Sequence, residues 1–223
     1  MNLKCLLEID LNQPIGQLRA TPVNLGAGQP EAFLIIYGAD FDVDPYIEMF
    51  FFPEDTLKMA LITVEGKMLW QRDLGKGIVP GLWFVPVFPF DLDGDGRDEI
   101  FWVNNTEPDH PLSLNGRVLQ RTDALTGEDL ESRPWINQQR VDLGAQWAGM
   151  LFRDFIMGGY VQDEPVLVTA NGTYGDMYLK GWDANLEQRW DHFIAADDPG
   201  ARGSHMCPLA DINDDGISEL FWG

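Results

Sequence analysis

Short apolar runs separated by glycine, asparagine and aspartate recur along the chain. Phe33–Tyr37, Met49–Phe52, Met59–Val64, Leu82–Val87, Ile100–Val103, Val166–Ala170 and Leu220–Trp222 each have the length and residue types of one strand. Few windows hold a helical period through three turns. Gln146–Ile156 comes nearest, although Gly149 and the Gly158-Gly159 pair just beyond it weaken the pattern. The pattern predicts an all-β chain.

Two segments repeat each other. A strand ending at Trp70 precedes Asp91-Leu92-Asp93-Gly94-Asp95-Gly96-Arg97-Asp98-Glu99-Ile100-Phe101-Trp102, and a strand ending at Trp190 precedes Asp211-Ile212-Asn213-Asp214-Asp215-Gly216-Ile217-Ser218-Glu219-Leu220-Phe221-Trp222. In both, the first Asp stands 21 positions after the Trp and the Glu 8 positions further on. A weaker copy of the loop starts at Asp40 and runs to Glu48 with Pro45 in place of glycine, and Asp163–Val168 matches the strand after the loop without the loop itself. The anchors Glu48, Glu99, Glu164 and Glu219 are 51, 65 and 55 residues apart, the period of a propeller blade built from short strands. A β-sandwich also uses short strands but does not explain this spacing. The expected fold is a β-propeller forming a single domain over residues 1–223. About four blades fit the length, and an open fan would leave bare strand edges.

Asp91, Asp93 and Asp95 place three carboxylates at alternate positions, and Gly96 permits the turn that gathers them. The carbonyl of Arg97 and the carboxylate of Glu99 complete an oxygen set suited to Ca²⁺, which takes six to eight oxygens. Asp211, Asn213, Asp215, the Ile217 carbonyl and Glu219 repeat that set with one charge fewer. The loops are not EF-hands, because Trp102 and Trp222 stand where that motif needs a bidentate Glu. The plainer alternative is a solvated acidic turn that holds no metal. A calcium ion here is expected to be structural, tying a hairpin to its neighbour.

Composition narrows the function classes. With 15 Lys+Arg against 36 Asp+Glu the net charge is −21, which would repel a nucleic-acid backbone. The 8 Trp and 13 Phe argue against disorder, and no apolar run is long enough to span a membrane. Cys5 and Cys207 alone cannot make a disulfide scaffold. Glu8 and Asp10 interrupt the N-terminal apolar stretch too early for a signal peptide, so the chain is either cytoplasmic or lacks its true start. It stops at Leu220-Phe221-Trp222-Gly223, in what reads as a buried strand, and a fragment of a longer protein is expected.

Few groups can do acid–base chemistry. His110 follows a strand in a polar loop, Tyr174 occupies the comparable loop Asn171-Gly172-Thr173-Tyr174-Gly175, and Arg189 lies on the strand that follows. Adjacent blades could bring the three to one end of a propeller. Alternatively His110 is a surface residue, Tyr174 packs between blades and Arg189 pairs with Glu187 or Asp191. His205 and Cys207 would share a face of a strand and could form half of a zinc site, although a buried thiol is more often inert packing.

Four segments, Asp91–Val103, Asn104–Leu112, Val166–Gly175 and Gly200–Gly223, resemble the propeller-type ulvan lyases, polysaccharide lyases that cut a sulfated algal glycan. Asp-His-Pro-Leu, Asn-Gly-Thr-Tyr-Gly and Gly-Ala-Arg-Gly-Ser-His-Met-Cys-Pro are the motifs that carry the likeness, over about residues 80–223. The calcium-type loop alone is generic and also occurs in rhamnogalacturonan lyases and integrin-like propellers. The resemblance implies a secreted or periplasmic enzyme, a propeller of about seven blades with about three absent here, and structural calcium and zinc, with His205 and Cys207 among the zinc ligands. It implies catalytic roles for His110, Tyr174 and Arg189, with Arg72 and Arg202 as alternative cations. The reaction is then β-elimination: Tyr174 takes the C5 proton of a uronate and protonates the leaving oxygen, while Arg189 and His110 stabilise the charge that develops on the carboxylate. A phenol is a weak base at neutral pH unless a cation lowers its pKa. The partner is an anionic polysaccharide drawn to a cleft made locally positive by Arg189, His110 and Lys180, and the protein is expected to work as a monomer. The rival readings are a rhamnogalacturonan-type lyase and a non-catalytic, calcium-stabilised propeller for adhesion or glycan binding.

Overall fold

The computed structural model describes residues 4–40, 54–78, 81, 84–107, 116–136, 153–173, 176–199 and 206–222, and among them there is no helix. The strands are β1 Gln17–Val23, β2 Ala32–Gly38, β3 Lys58–Thr63, β4 Met68–Asp73, β5 Val87–Phe90, β6 Glu99–Asn105, β7 Arg117–Asp123, β8 Asp129–Pro134, β9 Asp154–Val161, β10 Glu164–Asn171, β11 Met177–Trp182, β12 Gln188–Ile194, β13 Leu209–Ala210 and β14 Glu219–Leu220. They form three consecutive antiparallel meanders, β1-β2-β3-β4, β5-β6-β7-β8 and β9-β10-β11-β12, followed by the pair β13-β14.

The uninterrupted apolar runs have a simple cause. A strand buried on both faces needs apolar side chains at every position, not at alternate ones. In β6, Ile100 and Trp102 join Leu34, Met59 and Leu61 of the first sheet, whereas Phe101 and Val103 join Leu167 and Trp182 of the third. In β10, Leu167 faces the second sheet while Val168 and Ala170 face Cys207, Leu209 and Leu220. These two interfaces therefore put apolar cores between successive sheets, while Ile35, Tyr37, Ala60 and Ile62 form a smaller cluster with Leu11 on the other face of the first sheet.

The first strands also meet in sequence: β1 touches β5, β5 touches β9, and β9 touches β13. Outer strands dock on the following sheet. Trp70 Nε1 in β4 donates to the carbonyl of Ala124 at 2.9 Å, and Arg133 in β8 donates to the carbonyls of Leu186 and Asn185 at 2.9 and 3.0 Å.

The repeat anchors occupy equivalent places. Glu99, Glu164 and Glu219 each open the second strand of a sheet. The spacing from Trp to Asp spans the passage from the outer strand of one sheet to the far end of the next sheet's first strand. Between β9 and β10 a tight turn with positive φ at Gln162 and Asp163 replaces the acidic loop.

Three sequence expectations need correction. Asp154–Ile156 is strand, not helix, because Phe155 and Ile156 alternate between two cores; residues 146–152 lie outside the described residues. Of the run Leu82–Val87, residues 82 and 83 lie outside the described residues and the strand begins only at Val87, since the amides of Phe84 and Val85 bond back to the carbonyl of Gly81. Cys207 precedes β13 and is not in a strand. Met49–Phe52, and the weak loop copy beyond Asp40, lie outside the described residues.

Candidate functional site

Each sheet has two ends. The β5–β6 and β13–β14 loops, which carry the acidic motifs, lie at one end of their sheets; the β6–β7 and β10–β11 connections lie at the other. A buried polar frame supports the second end. Asn105, the last residue of β6, donates from Nδ2 to the carbonyl of Gly77 at 3.0 Å. Asn171, the last residue of β10, donates to Asp154 Oδ1 at 2.5 Å, and Trp135 Nε1 donates to the same oxygen at 3.0 Å. Arg117, which opens β7, pairs with Asp154 and lies 5.9 Å from the Trp135 ring centroid. Burial pulls the Arg117 pKa down to about 9, so the group stays cationic at neutral pH. Close by in the chain, exposed Lys76 stands between Gly75, with φ of 80°, and the pinned Gly77.

Two of the three expected catalytic groups, His110 and Tyr174, lie outside the described residues, as does the alternative Arg202. Arg189 does not stand at the end of its sheet where β10 turns into β11. Met177, which follows that turn, pairs with Ile194, while Trp182, five residues along β11, pairs with Gln188. At about 3.3 Å per residue, that separates Arg189 from the turn by roughly the length of the strand. Its Nε instead donates to Asp183 Oδ2 at 2.9 Å, a partner other than Glu187 or Asp191. Arg72 holds Asp129 in a two-pronged pair at 2.7 and 3.0 Å, and Lys180 Nζ lies 5.6 Å from the Trp182 ring centroid.

The acidic loops share one hydrogen-bond plan. Asp91 accepts from the amides of Asp95 and Gly96 at 3.1 and 2.9 Å, and Asp211 accepts from those of Asp215 and Gly216 at 3.1 and 2.8 Å. Glu99 and Glu219 accept from the amides of Leu92 and Ile212 at 3.1 and 3.0 Å. Those amide bonds, Gly216's foremost, hold the Asp211 carboxyl below the usual range, and the side-chain contact with Arg97 does the same for Asp95. Burial pushes Glu99 up to about 7 against the pull of Arg121 and the Leu92 amide.

Carboxylate oxygens of Asp91, Asp93 and Asp95 lie within 4.8 Å of one another. Ligands on opposite sides of a Ca²⁺ ion at about 2.3–2.6 Å are roughly 4.6–5.2 Å apart, so this set of hard oxygens fits such a cation. It would be held by Asp91, Asp93, Asp95, Glu99 and the Arg97 carbonyl, and it would neutralise their mutual repulsion. Zinc fits less well. Cys207 is buried in an apolar cluster with Met157, Val168 and Leu179, and burial pushes its thiol up to about 12, whereas zinc takes a thiolate. His205 lies outside the described residues.

The sequence reading missed Arg121, Lys76 and the Arg117–Asp154 pair. A lone arginine in Leu119-Gln120-Arg121-Thr122 has no local signal, because its partners come from other strands. The two strand-ending asparagines were visible as residues but not as a frame.

The chain is similar to two curated proteins of Bacillus subtilis (strain 168). It is 26% identical over 190 residues to the rhamnogalacturonan exolyase YesX, covering 72% of this chain and 31% of that protein. It is 26% identical over 189 residues to the rhamnogalacturonan endolyase YesW, covering 72% and 30%. Among solved structures, the exotype rhamnogalacturonan lyase YesX matches with a TM-score of 0.76 at 21% identity, over 92% of this chain and 38% of that one. A Bacillus licheniformis rhamnogalacturonan lyase matches with 0.76 at 20% identity, over 95% and 42%. No protein-family model matches the chain. The chain spans about a third of the length of its curated relatives. All of these relatives are named as rhamnogalacturonan lyases, and none is named for ulvan.

Proposed function

We propose that the chain is part of a secreted β-propeller polysaccharide lyase that cuts a rhamnogalacturonan-type backbone by β-elimination at a uronate. The observation that carries this reading is the fold match to rhamnogalacturonan lyases over 92% of the chain, joined to sequence similarity with two of them. The propeller part rests on three meanders whose first strands adjoin in order and whose cores lie between consecutive sheets. In such an arrangement the β6–β7 and β10–β11 connections would open on one mouth, and calcium in the acidic loops would brace the opposite end.

In the reaction the C5–H bond of the uronate breaks, a C4–C5 double bond forms and the C4–O bond breaks. Tyr174 would take the proton and return one to the departing oxygen, and protonated His110 would help to hold the uronate carboxylate. A cation must offset the charge that grows on the carboxylate. Arg189 is tied to Asp183 away from that mouth, so exposed Lys76 is the better candidate for this role.

The test is elimination on purified polymers, read as near-ultraviolet absorbance of the unsaturated uronate. Rhamnogalacturonan should give the rise, ulvan should not, and Tyr174→Phe should abolish it without changing the melting temperature. Turnover of ulvan alone would overturn the substrate, and an active Tyr174→Phe variant would overturn the base.

A further inference from the structure

The two acidic loops follow one plan, but of the four side chains that would hold an ion one differs, Asp93 against Asn213, and that one has a different neighbour. Where the second has Asn213, whose amide donates to Glu219 Oε1 at 3.3 Å, the first has Asp93, which cannot donate when ionised. Arg97 of the first loop pairs with Asp95, but the positive partner of Asp93 comes from another strand. Arg121 of β7 donates to Asp93 Oδ2 at 2.6 Å and pairs with Glu99. On its other side the same guanidinium reaches Glu131 Oε1 at 3.2 Å and the carbonyl of Ala184 at 3.0 Å, in the turn between β11 and β12. The side chains of Arg121 and Glu99 are both only 9% exposed. Glu99, this dry and with the exposed Asp93 carboxylate sharing its arginine, needs a counter-charge.

We infer that Arg121 and a divalent cation in the loop are alternative counter-charges for Asp93 and Glu99, so that Arg121 links the metal state of the loop to the contact between the second and third sheets. The inference rests on the calcium reading of the loop and not on the lyase reading. With the cation bound, Asp93 and Glu99 turn to the metal and Arg121 keeps Glu131 and the Ala184 carbonyl. Without it, Arg121 holds all four. Arg121 is thus a positioning residue that competes with the ion for ligands.

The experiment uses Arg121→Met in a background where Asp215→Asn weakens the second loop. Protein stripped with chelator is titrated with calcium chloride by calorimetry and melted with and without calcium. Calcium affinity should rise about tenfold, within the usual range of coupling between sites. The loss of melting temperature should be at least twice as large in chelator as in calcium. An equal loss in both, or unchanged or weaker affinity, overturns the inference. If calcium neither binds nor stabilises the parent, the cation reading fails and takes the inference with it.

Should Arg121→Met not fold in chelator, Asp93→Asn decides the matter. That change installs the second loop's residue, so it should melt near the parent in chelator while binding calcium more weakly. A large loss in chelator overturns the inference.

Discussion

Trp70 and Ala124 are 54 positions apart in sequence, yet the indole Nε1 of the first donates to the carbonyl of the second at 2.9 Å. This bond locks the outer strand of the first sheet onto the β7–β8 turn of the second. Gly127 in that turn completes the fit. Its φ is 73°, and a Cβ added there would meet the Trp70 ring at 2.7 Å. Gly127→Ala should therefore lose about 2 kcal/mol through backbone strain and ring displacement together. Urea unfolding checks this, and a loss below a few tenths of a kcal/mol would contradict it.

Arg117 and Asp154 form a buried pair between two sheets, with Asp154 only 1% exposed. Removing one charge strands the other, so Arg117→Met or Asp154→Leu alone should cost about 3–5 kcal/mol. The double substitution should cost clearly less than the two single costs added together. Chemical denaturation of all four proteins gives the coupling, and strict additivity would show that the pair carries none.

The two thiols should behave differently. Cys5 is exposed and Cys207 buried, so a thiol reagent at mildly alkaline pH should modify one cysteine in the native protein and two after denaturation. The folded Cys207 thiol titrates near 12 against an ordinary value of 9.0. Between those values the unfolded chain has given up its proton and the folded one has not, so this group's contribution to stability is lost as pH rises through that window. Melting temperatures at rising alkaline pH, compared with Cys207→Ala, test the sign.

Lys76 is the exposed cation beside the asparagine-pinned Gly77. On the proposed reaction, Lys76→Met should lower turnover of the polymer and flatten its dependence on salt, because one attraction between enzyme and polyanion is gone. Rates across a range of ionic strength read this directly, and an unchanged salt slope would remove Lys76 from the mouth.

How much of this was legible beforehand varies with the reach of each interaction. The strands at Phe33–Tyr37, Ile100–Val103 and Val166–Ala170 were readable because burial on both faces leaves a continuous apolar signature. The acidic loops were readable because their hydrogen bonds close within nine residues, as in Asp91 to Glu99. Arg121, Arg117 and Asp154 were not, since the Arg121–Glu99, Arg117–Asp154 and Arg121–Ala184 contacts span 22, 37 and 63 positions and form only when strands pair and sheets dock. The exposed strand β12, with Trp190 and Phe193 at 40% and 48%, shows the converse. Its aromatic residues lie in a strand but do not mark an interior.

Adjacent residues Ile100 and Phe101 point into different cores, and the same is true all along the second strands. No sheet can therefore finish burying its apolar face until its successor has been made. At about 5–20 residues per second, the fifty or so residues of one repeat take roughly 3–10 s to synthesise. Through each such wait the newest sheet carries an oily flank, so slow codons or a stalled ribosome at any point before the next sheet is complete would be a hazard for aggregation.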